Sequence, residues 1–158
     1  MDYRKEYEKW LASPALSEDE RAELRALEGN DKEIKARFYG PLEFGTAGLR
    51  GTMYTGLHNM NRHVIRWATQ GFANVIRAEG TEAMQKGIAV CMDCRNHSAE
   101  FARETACVMA ANGIHVRLFE SLRPTPELSF AVREYGCQAG VNVTASHNPK
   151  EYNGYKVY

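Results

Sequence analysis

Between residues 87 and 144 the chain alternates short apolar runs with longer segments of helical period, and this alternation restricts the fold more than any other feature. Residues 87–93, 114–119 and 139–144 are short, rich in β-branched and small apolar residues, and read as buried strands. Between them, residues 98–113 carry Phe101, Thr105, Val108 and Met109 on one face, with Ser98 as the expected cap and Gly113 as the stop. The second segment opens on Thr125 as a cap, has Pro126 at its first helical position and closes at Gly136. A β-α-β-α-β order predicts an α/β fold with a mainly parallel sheet and helices on both faces. In such sheets ligands sit beyond the carboxyl ends of the strands. Residues 93–97, 121–126 and 145–149 fall there, and residues 154–158 read as a returning edge strand that makes the sheet mixed.

The first forty residues read instead as an arm of short charged helices. Ser17 and Glu20 form a capping box, Leu24 and Leu27 make an apolar stripe, and Asp31 is the expected cap of a turn through Ile34 and Phe38. The predicted organisation is thus an arm over 1–40 and a catalytic-type domain over 41–158. Residues 40–61 are irregular and glycine-rich, and a helix over 62–79 presents Val64, Ile65, Ala68, Phe72, Val75 and Ile76 together.

Charge excludes some functions. Twenty basic residues balance twenty acidic ones without a basic stripe, so neither nucleic acid nor an acidic membrane surface is an expected partner. No apolar stretch approaches the roughly 18 residues of a membrane span. The polar amino terminus and four scattered cysteines suit a reduced, cytoplasmic protein. Cys91 and Cys94 have redox spacing, but the pair begins inside a strand, where the two side chains would diverge; free thiols are expected.

Two constellations can carry chemistry. The first is Thr-Ala-Ser-His-Asn-Pro at 144–149 followed by Asn-Gly-Tyr-Lys at 153–156. Ser146, His147, Asn148 and Lys156 would converge at a strand end, giving a hydroxyl able to hold a phosphoryl group and partners for its charge. A Ser-His neighbour pair alone proves little, because adjacent side chains commonly diverge and no third acid orients them. The second is Gly-Thr-Ala-Gly-Leu-Arg-Gly at 45–51, which is neither a Walker A loop nor a dinucleotide fingerprint. It is either a flexible connection or a backbone nest, with Thr46 and Gly48 and the Arg50 guanidinium, suited to phosphate. Asp93 and Arg95 read as an ion pair that ties down their loop.

Together these motifs resemble the α-D-phosphohexomutases, the phosphoglucomutase and phosphomannomutase superfamily, over residues 40–158. Phe44–Gly51 and the arm resemble its longer bacterial phosphoglucomutase and phosphopentomutase branch, although Tyr54 and His58 depart from some relatives. The resemblance implies that Ser146 is the phosphorylated serine, that Arg50 lies beside it, and that His147 and Lys156 contact phosphate or move protons. It implies transfer of phosphate between C1 and C6 of a hexose phosphate through a hexose 1,6-bisphosphate. It also implies a Mg²⁺ ion held by a phosphoryl oxygen on Ser146 and by a further domain. Only the amino-terminal domain is matched, so the chain alone is expected to be inactive and the remaining domains to be its partners. The competing readings are a non-catalytic phosphate-binding module, a phosphopentomutase and a Cys91/Cys94 redox protein.

Overall fold

The computed structural model describes residues 1–46 and 48–158. Its sheet runs β1 (Leu49–Thr52), β5 (Tyr152–Val157), β4 (Ala139–Val143), β2 (Ile88–Met92), β3 (Val116–Leu118). β2 is parallel to both β3 and β4, whereas β5 lies antiparallel between β4 and β1. The α/β reading therefore holds, with one correction. The segment expected at the edge is interior, because β1, hidden in the glycine-rich stretch, covers its far side.

Alternation along the strands explains the layers. Ile88, Val90 and Met92 join Val141, Val143 and Tyr155 in the main core beneath α4 (Arg62–Ala78) and α6 (Ser98–Ala111). Ala89 and Cys91 point the other way and pack on Leu128 of α7 (Thr125–Glu134). Helices thus cover both faces, α7 alone on the second. Burial pushes the Cys91 thiol up to about 12, and Cys94 is exposed; all four cysteines are free. A short α5 (Thr81–Lys86), absent from the sequence reading, follows Gly80. On α4 the buried set includes Thr69 and Ala73, while Val75 faces outward.

Three expected caps move. Asn30, not Asp31, caps α3 (Asp31–Phe38), its side chain accepting from the Glu33 amide. His97, in a left-handed conformation, precedes α6, and Ser98 is the first helical residue. Pro124 precedes α7, so Thr125 lies inside the first turn and its hydroxyl accepts from Asn142. Ser98 and Thr125 are displaced because each oxygen meets a tertiary partner instead of the first-turn amides.

Helices α1 (Tyr3–Leu11), α2 (Glu18–Arg25) and α3 bury Tyr7, Leu24, Ile34 and Phe38 in a separate small cluster. The capping box at Ser17 and Glu20 is formed. Glu20 also accepts from Arg62 and His63 at the start of α4, at 2.7 and 3.0 Å, and Glu23 accepts from Arg37 and Thr55. These carboxylates fasten the helical arm to the sheet domain. Burial holds the His63 imidazole below its ordinary value of 6.5, although Glu20 pulls the other way. For Glu20 burial acts upward, but the Ser17 amide and Arg62 outweigh it and hold the carboxyl below 4.5.

Both depressions have the same sign. Above pH 6.5 the neutral imidazole costs the folded state nothing; as pH falls through 6.5 the unfolded chain takes the proton more readily and stability drops. Glu20 adds a further loss below 4.5. We expect the melting temperature to decline between about pH 7.5 and pH 5.5, and His63→Gln to flatten that decline. Parallel profiles for the two proteins would show that His63 plays no part.

Candidate active site

The chain leaves β2 outward to β3 and then returns across it to β4, so strand order reverses between β2 and β4. That is where open α/β sheets bind ligands. The segment after β2 carries Asp93 and Arg95, and the segment after β4 carries Ser146.

The two segments are welded together. The Asp93 carboxylate accepts from the Arg95 amide (3.0 Å) and Nε (3.2 Å), the Ser98 hydroxyl (2.8 Å) and the Thr144 hydroxyl (2.6 Å). Thr144 Oγ1 in turn accepts from the Ser146 amide at 3.0 Å. The other nitrogens of Arg95 donate to four carbonyls of the serine loop: Ser146 (2.7 Å), Asn148 (2.8 Å), Pro149 (2.8 Å) and Tyr152 (3.0 Å). The expected ion pair is present at 3.2 Å, but its larger part is this grip on the neighbouring loop. Nothing in a local reading of residues 93–97 signals a partner more than fifty positions away.

Ser146 is exposed and held at φ 58°, a left-handed conformation uncommon outside glycine. Its Oγ lies 3.5 Å from His147 Nδ1, the outer limit of a hydrogen bond. Arg50 of β1 donates from Nη1 to Asn148 Oδ1 at 3.1 Å, across 98 residues of sequence. Its Nε is buried and has no acceptor among the described residues. Arg50 is therefore brought to the serine loop with a donor to spare.

Lys156 is placed differently. Among the described residues its ammonium makes no hydrogen bond or ion pair. Tyr155 points into the main core, so Lys156 and Arg50 share the opposite face of the sheet, with Arg50 paired to Gly154 in register. Diagonal neighbours of this kind lie about 7–8 Å apart at the backbone, within reach of long side chains. Gly154 makes room: a Cβ there would stand 2.6 Å from the Thr144 carbonyl, 2.8 Å from that of Leu49 and 3.3 Å from Arg50 Cγ. Asn153, which the sequence reading left without a role, is fully buried and donates to the Asn96 carbonyl and Ser98 Oγ. Its spacing two residues ahead of Tyr155 was the available signal.

In the glycine-rich motif, Gly45 and Gly48 exchange backbone hydrogen bonds of 3.2 and 3.0 Å around a tight turn. Their amides are thereby spent on each other, and Thr46 is exposed at the tip; Ala47 lies outside the described residues. Gly48 itself has φ +84°, and a Cβ would stand 2.2 Å from the Tyr155 carbonyl, so its conformation and its contact with β5 both require glycine. Among the described residues no group of three or more His, Cys, Asp and Glu could hold a metal. No helix there is long and apolar enough to cross a membrane.

The site is thus an open α/β sheet with an exposed serine at its switch point and a guanidinium with a free donor held on the same loop through Asn148. Residues 41–158 match the family model for the phosphoglucomutase/phosphomannomutase α/β/α domain I, and the chain belongs to that family. It is 43% identical over 137 residues to the phosphopentomutase of Homo sapiens, covering 83% of this chain and 22% of that protein. It is 41% identical over 128 residues to the phosphoglucomutase of Staphylococcus saprophyticus, covering 81% and 23%. A crystal structure of a phosphoglucomutase/phosphomannomutase family protein from Burkholderia thailandensis superposes with a TM-score of 0.60 at 27% identity, covering 72% of this chain and 25% of that one. The chain thus spans about a quarter of the length of these relatives.

Proposed function

We propose that this chain supplies the phosphoserine domain of a phosphosugar mutase. The observation that carries the reading is Arg50, drawn from the start of the domain to Asn148 in the Ser146 loop with its buried Nε unsatisfied. A phosphate on Ser146 would offer that guanidinium a charged acceptor, stronger than the neutral amide it now contacts.

Phosphorylated Ser146 would face the free hydroxyl of a sugar monophosphate. The sugar oxygen bonds to phosphorus as the bond to Ser146 Oγ breaks, and the hydroxyl proton is taken up while the serine oxygen regains one. Lys156, on the same face as Arg50, is the group we assign to that proton traffic, and His147 holds the phosphate or the incoming hydroxyl. The product is a bisphosphate; after it turns over, its other phosphate returns to Ser146 by the same steps in reverse. Charge spreads over the oxygens of the phosphoryl group in flight, so Arg50, hydrogen-bonded to Asn148, would contribute by position and electrostatics, with Thr46 a further candidate for phosphate contact. The residues around Ser146 do not form a magnesium site by themselves. Among the described residues, the group that would face such an ion is a phosphoryl oxygen on Ser146. The chain alone is expected to bind sugar phosphate without turnover.

The hexose reading, with transfer between C1 and C6, rests on the family resemblance; the comparably similar phosphopentomutase makes a pentose phosphate the competing substrate. The test is to incubate the full-length protein with glucose 1,6-bisphosphate and map the phosphate by mass spectrometry. We expect it on Ser146 and expect glucose 6-phosphate to discharge it. Phosphate on another residue, or none, would overturn the reading.

A further inference from the structure

The Asp93–Arg95 pair is more elaborate than an ion pair needs to be. A guanidinium has five N–H donors in a fixed plane. Arg95 spends four of its bonds on carbonyls spread over residues 146–152, its Nε on Asp93, and its side chain is only 12% exposed. Asp93 reaches the same loop by a second route, through the Thr144 hydroxyl to the Ser146 amide. Both sides of the Ser146 backbone, its N–H and its C=O, are therefore fixed by groups that trace back to one carboxylate.

The clamp has a consequence for polarity. In a trans peptide the carbonyl of one residue and the N–H of the next point in opposite directions. With the Ser146 and Pro149 carbonyls turned toward Arg95, the His147 and Lys150 amides are turned away from it. Neither amide has an acceptor among the described residues. The left-handed backbone of Ser146, three residues beyond the end of β4, is strained and persists only where neighbours over-determine it. Here six hydrogen bonds do so.

We infer that Arg95, oriented by Asp93, is a positioning residue that holds Ser146 and its loop amides in the geometry for phosphoryl transfer, without itself touching substrate. This rests on the phosphoserine reading above. Misplacement of a reacting group by about 1 Å costs about 10²-fold in rate. The loss should therefore appear in kcat, with KM for sugar phosphate changed by less than about threefold. An ammonium cannot bridge the same carbonyls in one plane, so charge alone should not restore the function.

The test uses the full-length protein and four variants. Arg95→Ala should lower kcat about 100-fold, Arg95→Lys should recover less than about tenfold of that, and Thr144→Val, which cuts only the second route, should lower kcat about tenfold with KM again unmoved. Melting curves accompany each; if Arg95→Ala does not fold, the lysine and valine variants decide. A lysine variant with normal kcat, or a loss confined to KM, would overturn the inference. Ser146→Ala separates the two ideas: if it retains turnover, the phosphoserine reading fails, whereas an inactive Ser146→Ala beside a fully active Arg95→Lys removes only the positioning role.

Discussion

Ser146→Ala is expected to abolish turnover of the full-length protein, by about four orders of magnitude or more, as removal of a covalent nucleophile does. The fold should be almost untouched. The side chain is exposed and its only hydrogen bond among the described residues is the 3.5 Å contact with His147, so the hydroxyl contributes well under about 1 kcal/mol of stability. The loop stays fixed because its anchors act on the Ser146 backbone, which alanine keeps. Steady-state assay of glucose 1-phosphate conversion, paired with a melting curve, checks both halves. Appreciable turnover in the variant would sink the nucleophile assignment, and a large drop in melting temperature would show that the hydroxyl matters to folding.

The second large effect falls on stability. Gly154→Ala places a methyl group 2.6 Å from the Thr144 carbonyl just beyond β4 and 2.8 Å from the Leu49 carbonyl on β1. Backbone at such distances cannot swing aside as a flexible side chain can, so β5 must move away from β4, from β1 or from both. We expect a loss of about 2–3 kcal/mol, within the usual cost of overpacking. For a chain of this size that lowers the melting temperature by about 4–12 °C. The variant should also displace Arg50, whose Cγ would be 3.3 Å from the new methyl, so the full-length protein should lose activity beyond its loss of stability. Calorimetry showing an unchanged midpoint would mean that the strands can part at little cost.

The sheet half of the fold was legible because its strands are buried on both faces and read as continuous apolar runs, as in 88–92 and 139–143. β1 was not. Leu49–Thr52 is four residues that follow Gly48 and contain Gly51, and only pairing with a strand a hundred residues later makes it extended. The displaced caps share that cause: Ser98 and Thr125 have the right side chains for a helix start, but tertiary acceptors and donors claim them. In the site, Ser146 and Arg50 stood out because their motifs are short and chemically marked. Arg95 and Asn153 did not, since their work is done on carbonyls and amides that no side-chain pattern records.

The interior place of β5 orders the assembly of the domain during synthesis. The parallel strands β2, β3 and β4 can pair as they emerge, because their helices lie between them in sequence. β1, made a hundred residues earlier, has no strand to join until Tyr152–Val157 appears, because β5 is its one neighbour in the sheet and joins it to β4. Closing so long a loop is an entropic burden met late. Until then Arg50 has no fixed address and the serine loop lacks the anchor at Tyr152. A nascent chain stalled before residue 152 would therefore hold the parallel strands β2, β3 and β4 but not the Arg50–Asn148 contact, which needs β5 between β4 and β1.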